Sequence, residues 1–213
     1  MDVRKIEPGD SDYPTILVER LAYAVPHALY CLGDPGILRN RLLGLVCSIQ
    51  CPGSIVIKTF DTIRMLRDAG VTMIGGFHSP MERECLDLLL RGAQPVVFCA
   101  AKSLRGVRIG QEARKALKEG RLLVLSPFGV EVRWTTSTHA IERNDLVVAL
   151  ADAVFVPYAA PAGKTLGTVC RAFERGQKVF ALEDEANTHL FAWGVRACQS
   201  NELEEILSLI VKS

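Results

Sequence analysis

Short apolar runs alternate with amphipathic stretches along the chain after residue 40. Each apolar run is continuous over four to six residues rather than alternating with polar ones. A continuous run of this length is typical of a strand that is covered on both faces of a sheet. The predicted strands are residues 42–47, 71–74, 95–99, 122–125, 153–156 and 178–182.

The stretches between these strands have the composition of helices. They predict helices over residues 54–69, 80–91, 111–118, 138–150 and 165–175, followed by a last helix over 201–211. Strands that alternate with helices predict an α/β fold, here an open, doubly wound, mostly parallel, Rossmann-like sheet with helices on both faces. Two helix starts resemble capping boxes, Ser79 with Glu82 and Asn201 with Glu204. Pro80 adds the residue that is favoured at the first helical position.

The first 40 residues differ from the rest of the chain. Tyr13-Pro14 and Gly33-Asp34-Pro35-Gly36 interrupt any regular pattern and indicate a short helical lead-in. A chain of 213 residues is long enough for one domain with a small appendage. We therefore divide it into an N-terminal lead-in over residues 1–40 and a Rossmann-like α/β domain over residues 41–213.

The hydrophobic pattern predicts a cytoplasmic protein that does not enter membranes. No apolar run reaches the ~18 residues of a membrane span, and no apolar segment follows the charged residues 1–7 as it would in a signal peptide. The seven cysteines are odd in number and lie mainly in apolar runs, which favours free thiols. Cys47 and Cys51 are four residues apart, which is not the spacing of a zinc or redox motif. We expect no metal and no cofactor.

Charge is unevenly distributed although the net charge is only +1. Residues 102–121 contain seven basic and two acidic side chains, whereas the segment after residue 182 is rich in glutamate. The basic stretch is either a solvated helix face or an electropositive rim for an anionic ligand. The candidate rim residues are Lys102, Arg105 and Arg108.

Three turns that follow predicted strands are candidate phosphate sites, because free N–H groups at a helix N-terminus attract anions. The alternative is that each turn is an ordinary strand-to-helix loop. His78 lies in the second turn, either as a loop residue or as a ligand contact. The candidate residues of the three turns are Ser48 and Gly53; Gly75, Gly76, His78 and Ser79; and Gly163, Lys164 and Thr165.

Complete catalytic motifs are not found. Ala162-Gly163-Lys164-Thr165 resembles the end of a phosphate-binding loop, but Tyr158 stands where the full pattern requires glycine. The capping role of Glu82 explains that carboxylate without acid–base chemistry. We therefore predict no catalytic residue and favour a binding protein over an enzyme. Trp134 and Trp193 are either base-stacking platforms or cover for the core.

Several segments together resemble the DprA/Smf DNA-processing family, a branch of the Rossmann-like superfamily that also contains the LOG nucleotide phosphoribohydrolases. The lead-in is similar in Tyr13-Pro14 and in the segment from Pro26 to Gly33. The most specific similarity is Arg143-Asn144 before an apolar helix and strand. Further matching positions are Thr165, Leu166, Thr168, Ala172, Glu174 and Gly176.

The resemblance implies a protein that binds single-stranded DNA or a nucleotide in DNA processing or recombination. It also implies a homodimer and a recombination protein as partner. Arg143 and Asn144 would orient the ligand, and Thr168 would lie near its phosphate. At three positions where the family has arginine, this chain has Ile49, Ser79 and Asp145.

Two other functions remain open at this stage. One is a small-nucleotide enzyme or sensor of the LOG type, acting through His78 or Glu82. The other is a degenerate member that serves only in protein interaction. On the DNA-binding interpretation, Lys102, Arg105 and Arg108 replace the missing cations, and the Gly75 and Gly163 turns border one crevice at the strand ends.

Overall fold

The computed structural model describes residues 2–211, and within them nine strands form one sheet. The sheet order is β1-β2-β6-β5-β4-β3-β7-β8-β9. All neighbouring strands from β6 to β9 in this order are parallel, whereas β1 pairs with β2, and β2 with β6, antiparallel. The strands are β1 Arg4–Ile6, β2 Leu29–Leu32, β3 Leu42–Leu45, β4 Thr72–Gly75, β5 Val96–Cys99, β6 Leu122–Ser126, β7 Ala153–Val156, β8 Lys178–Leu182 and β9 Arg196–Cys198.

In the described part of the chain, eight α-helices cover this sheet, and three short 3₁₀ turns connect elements at Ala22–Ala24, Pro35–Arg39 and Glu185–Asn187. The helices are α1 Ile16–Leu21, α2 Gly53–Asp68, α3 Pro80–Leu90, α4 Gln111–Lys118, α5 Ser137–Leu150, α6 Lys164–Glu174, α7 Thr188–Phe191 and α8 Glu204–Ile210.

Two hydrophobic cores lie on opposite faces of the sheet. On one face, α1, α5, α6 and α7 pack against alternate strand residues such as Val97, Leu123 and Val154. On the other face, α2, α3, α4 and α8 pack against the intervening residues, such as Val96 and Phe155. Because both faces are buried, the central strands are apolar at nearly every position. The predicted open, doubly wound, Rossmann-like sheet is therefore confirmed.

The six predicted strands correspond to β3 to β8, and the helices between them begin and end within a few residues of the prediction. The sequence analysis did not predict β1, β2 or β9. The 1–40 segment contains the expected short helix, α1, and it also adds β1 and β2 to the sheet. Tyr13 fastens this segment internally, since its hydroxyl donates to the Pro26 carbonyl at 2.7 Å. The division of the chain at residue 40 stays a prediction.

The predicted capping box at the last helix is wrong. α8 begins at Glu204 with Leu203 at the N-cap, and no side chain caps it. Asn201 and Glu202 instead lie in a tight turn in which Gln199 and Glu202 form an isolated bridge. Because this turn closes immediately before the helix, Asn201 lies two residues too early to cap it.

The carboxyl ends of the parallel strands lie along one edge of the sheet, which we call the strand-end edge. The strands β3 to β6 are added in one direction, and β7 then returns to the other side of β3. Ligands of open α/β sheets bind outside the carboxyl ends near such a reversal. The loops along the edge are residues 46–52, 76–79, 100–110, 127–136, 157–163 and 183–184.

Candidate nucleic-acid interface

The loop between β4 and α3 is closed by the protein's own carboxylate. Ser79 caps α3 through its hydroxyl, which accepts from the Glu82 N–H at 3.2 Å, as the sequence predicts. Oε2 of Glu82 accepts from the backbone N–H groups of His78 and Ser79 at 3.1 and 3.0 Å. Glu82 thus occupies the place that the sequence analysis assigns to a phosphate. The Ser79 backbone is therefore not available as a ligand donor in this structure.

Gly76, the first residue of this loop, packs on the buried side chain of Arg143. Arg143 is only 4% exposed, and its guanidinium donates to the Cys99 carbonyl at 3.0 Å and to Asn144 Oδ1 at 2.9 Å. A Cβ at residue 76 would overlap that guanidinium, so a larger residue there would displace it. Burial lowers the pKa of Arg143, while the nearby Glu82 carboxylate acts in the opposite direction. Arg143 therefore braces the loops after β4 and β5. Its role in orienting a ligand stays a prediction.

Ser48 joins the loop after β3 to the loop after β7, at the point where the strand order reverses. Its hydroxyl accepts from the Ala160 N–H at 2.9 Å, and its backbone N–H donates to the Tyr158 carbonyl at 3.0 Å. Gly53 is exposed at the first residue of α2, a helix without a side-chain cap. Ser48 therefore contributes to the framework, and Gly53 lies at the surface.

The start of α6 carries an exposed lysine above buried threonines. Gly163 is the N-cap, no side chain caps the helix, and Lys164 is exposed at its first residue. Thr165 and Thr168 are buried, and the Thr168 hydroxyl accepts from Arg171 at 3.3 Å. Among the residues predicted at this helix start, Lys164 is the charged one, and its side chain is accessible.

The predicted rim residues Lys102, Arg105 and Arg108 are exposed in the loop between β5 and α4. Within residues 2–211 none of the three forms a salt bridge. Lys102 and Arg105 line a groove of about 400 Å³ together with Arg133 and Trp134 from the loop between β6 and α5. We call this the basic groove. Its lining contains no carboxylate.

The Gly75 and Gly163 turns do lie at one edge of the sheet, since β4 and β7 are both parallel to β3. Neither turn lines the basic groove. The β5 and β7 strands are separated by β4 and β3, which places their ends ~14 Å apart at the usual strand spacing. That all the candidate residues border a single crevice remains a prediction.

Sequence analysis missed Arg133. Arg133 lies outside the basic stretch of residues 102–121, and the acidic residue Glu131 precedes it by two positions. The available signal was its neighbour Trp134, since a cation beside an exposed aromatic residue is the usual composition of a single-strand binding surface.

Two further findings concern the described residues as a whole. None of the helices in residues 2–211 is both long and apolar enough to cross a membrane. The same residues contain no group of three or more histidine, cysteine, aspartate or glutamate side chains that could hold a metal ion.

The sequence matches a family model described as DNA recombination-mediator protein A over residues 4–202. This match covers nearly the entire chain. The chain belongs to the DNA recombination-mediator protein A family. The resemblance of its motifs to DprA is thereby confirmed. No curated protein matches it by sequence.

Solved structures with the same fold include two DprA proteins. DNA processing protein A of Streptococcus pneumoniae superimposes with a TM-score of 0.81 at 20% identity, covering 99% of this chain and 75% of that one. The Helicobacter pylori protein, whose structure is described as showing its single-stranded DNA binding mode, gives 0.74 at 17% identity, covering 96% and 94%. A molybdenum cofactor binding protein of Rippkaea orientalis gives 0.58 at 14% identity, covering 82% and 99%. At these identities the likeness describes the fold.

At the three positions where the resemblance places arginine, this chain has Ile49, Ser79 and Asp145. Ile49 is exposed, Ser79 is the buried cap of α3, and Asp145 accepts from Arg171 at 2.7 Å. Ser79 and Asp145 are therefore integrated into the local structure, whereas Ile49 is not. The exposed cations of the strand-end edge lie instead in the loops after β5 and β6, with Lys164 farther along.

Proposed function

We propose that this DprA family member binds single-stranded DNA as a recombination mediator and contacts the DNA backbone through the cations of the loops after β5 and β6. The family match over residues 4–202 is the observation that carries the proposal. The DNA-binding relative from Helicobacter pylori has the same fold. Phosphate contacts supply most of the affinity of such binding and require exposed, uncompensated cations.

The basic groove and its surroundings meet this requirement. Lys102, Arg105 and Arg108 are exposed and take part in none of the salt bridges of the described residues. The loops that carry them are fixed, since Ser126 Oγ donates to the Lys102 carbonyl at 2.8 Å and the Ser103 N–H donates to the Val132 carbonyl at 2.8 Å. A fixed loop loses little conformational entropy on binding.

Lys164 and the Gly163 turn supply a second, weaker contact in this proposal. They lie at an uncapped helix N-terminus on the same strand-end edge, where the helix dipole and the lysine both favour a phosphate. A strand bound in the basic groove would reach Lys164 by crossing the ends of β4 and β3.

The family resemblance also carries finer proposals. We propose that the protein acts in the cytoplasm, as a homodimer, together with a recombination protein. Light scattering of the purified protein tests the dimer, since a monomer mass at all concentrations would contradict it.

Salt dependence of oligonucleotide binding tests the proposed function. For single strands, the logarithm of affinity falls with the logarithm of salt concentration at about −0.7 per neutralised phosphate, so three contacts give a slope near −2. Changing Lys102, Arg105 and Arg108 together to alanine should weaken binding and flatten the slope by about 2. Exposed charges contribute little to stability, so the triple variant should unfold at the wild-type temperature.

A matched control removes three other exposed cations. Arg91, Lys115 and Lys118 lie at the C-terminal ends of α3 and α4, which lead back to the opposite edge of the sheet. Changing these to alanine alters net charge equally and should leave the slope unchanged. The proposal fails if wild-type protein does not bind a single strand at low salt. It fails also if both triple variants lose affinity equally.

A further inference from the structure

Trp134 is unusually exposed for its residue type. The residue is 79% exposed, whereas tryptophan normally buries most of its surface in a core or an interface. It lines the basic groove together with Lys102, Arg105 and Arg133. The groove volume of about 400 Å³ lies within the ~300–1,000 Å³ range of small-ligand sites. An indole face bordered by cations and by no lining carboxylate is complementary to a base with its phosphates.

The backbone at Trp134 is held in place by contacts with the first turn of α5. His139 Nδ1 lies 3.2 Å from the Trp134 carbonyl oxygen, and because a carbonyl only accepts, Nδ1 is the donor. The His139 ring packs on Phe128 with a centroid distance of 4.9 Å, and Phe128 is buried. The hydroxyl of Thr136 accepts from the His139 N–H at 3.1 Å and caps α5. The indole is therefore presented from a fixed support rather than from a free loop.

We propose that Trp134 stacks on a nucleobase of the bound single strand while Lys102, Arg105 and Arg133 contact the flanking phosphates. The inference rests on the proposed function and assigns it a base-binding subsite. Stacking on tryptophan is tolerant of sequence, because every base has a π-face. The subsite would therefore accept any single-stranded base and exclude paired ones, whose faces are covered within the duplex.

Affinity for two strands that differ only in their bases tests the subsite. The probes are a twelve-residue oligothymidylate and a chain of the same length that is abasic throughout, so that the phosphates are equal. Wild-type protein should bind the thymidylate about 5- to 100-fold more tightly. This is the gain in affinity expected from stacking one base on an aromatic ring. Trp134→Ala should bind both strands alike, at the abasic level. Trp134→Phe should recover most of the preference.

Tryptophan emission gives a second readout. In Trp193→Phe the remaining indole is Trp134, and thymidylate should quench it. In Trp134→Phe the remaining indole is Trp193, which follows α7 near the opposite side of the sheet and should not respond. Trp193→Ala is the matched control for the binding assay and should keep wild-type affinity. A common unfolding temperature for the variants shows that they are folded.

The outcomes separate this inference from the proposed function. If wild-type protein binds thymidylate but Trp134→Ala binds it equally well, the stacking subsite is wrong and DNA binding stands. The subsite is also wrong if Trp134→Ala loses affinity equally for the abasic chain, because Trp134 then acts through loop shape. If the wild type binds neither strand at low salt, the proposed function and the subsite both fail.

Discussion

The loops after β5 and β6 present Lys102, Arg105 and Arg133 around one groove, whereas the loop after β8 contributes Glu183 and Asp184 to another cavity of about 560 Å³. The second cavity also contains Glu185, and its lysine, Lys58, is paired with Asp184 at 2.9 Å. Hydrogen bonding from Lys58 is the main cause that lowers the pKa of Asp184, so the carboxylate stays ionised. One end of the strand-end edge is therefore basic and the other acidic.

The difference between the two ends is one of side chains and not of architecture. Both ends are built from loops that follow parallel strands of the same sheet. The fold determines where a ligand can approach, and the charge of each loop determines which ligand is attracted. The net charge of only +1 for the whole sequence conceals this separation. A polyanion should bind at the basic end and be repelled at the acidic one.

Reversing the charge of the basic end should have the largest effect. Changing Lys102, Arg105 and Arg133 together to glutamate replaces attraction with repulsion at three loop positions. We expect the affinity for single-stranded DNA at low salt to fall more than 100-fold, because three phosphate contacts are lost and three repulsive ones are added. Fluorescence anisotropy with a labelled thymidylate measures it. A fall of less than tenfold would place the DNA elsewhere.

The centre of the edge should be important for stability. In Gly76→Ala the new Cβ displaces the buried Arg143 guanidinium from the Cys99 carbonyl. Losing a charge-assisted hydrogen bond in the interior should lower the free energy of unfolding by about 2 kcal/mol in urea denaturation. Gly53→Ala is the matched control, since a Cβ there has no neighbour within 4 Å. Equal stability of the two variants would show that Arg143 is not a brace.

The cap of α3 provides a smaller test of the same region. Ser79→Ala removes the acceptor for the Glu82 N–H, which should reduce the free energy of unfolding by about 1 kcal/mol. Because Glu82 already occupies the N-terminus of α3, DNA affinity should change by less than twofold. If the affinity falls by more than the loss of folded protein accounts for, this loop is a phosphate site.

Neutralising the acidic end should have the smallest effect. Glu183→Gln with Glu185→Gln removes two exposed charges that lie several strands from the basic groove. Exposed charges beyond about 10 Å are largely screened at 0.1 M salt, so the affinity should rise less than threefold there and somewhat more at low salt. Titrations at two salt concentrations measure this. A large increase at both would mean that the DNA passes over the acidic end.

The sequence predicted the core of the fold and parts of the edge. The buried strands β3 to β8 were recognisable because a strand covered on both faces has a continuous apolar run. The edge strands β1 and β9 have three residues each, only one of them buried, so no periodic pattern identifies them. β2 is apolar but lies among proline and glycine signals that indicated a lead-in.

The candidate site was less accessible to sequence reasoning than the fold. The capping box of Ser79 was correctly predicted, but the second hydrogen bond of Glu82, to His78, depends on how the loop folds over the helix. Arg143 was selected from a family motif, but the motif does not reveal its burial against Gly76, a tertiary contact between residues 67 positions apart. Local patterns do not report such contacts.

Photochemical crosslinking locates the DNA on the protein most directly. A thymidylate strand that carries iododeoxyuridine is irradiated on the protein, and the modified tryptic peptide is identified by mass spectrometry. The peptide of residues 134–143 begins with Trp134 at the basic end, and the peptide of residues 179–196 contains Glu183, Asp184 and Trp193 at the acidic end. We predict that the crosslink forms on peptide 134–143. A crosslink confined to peptide 179–196 would contradict the account.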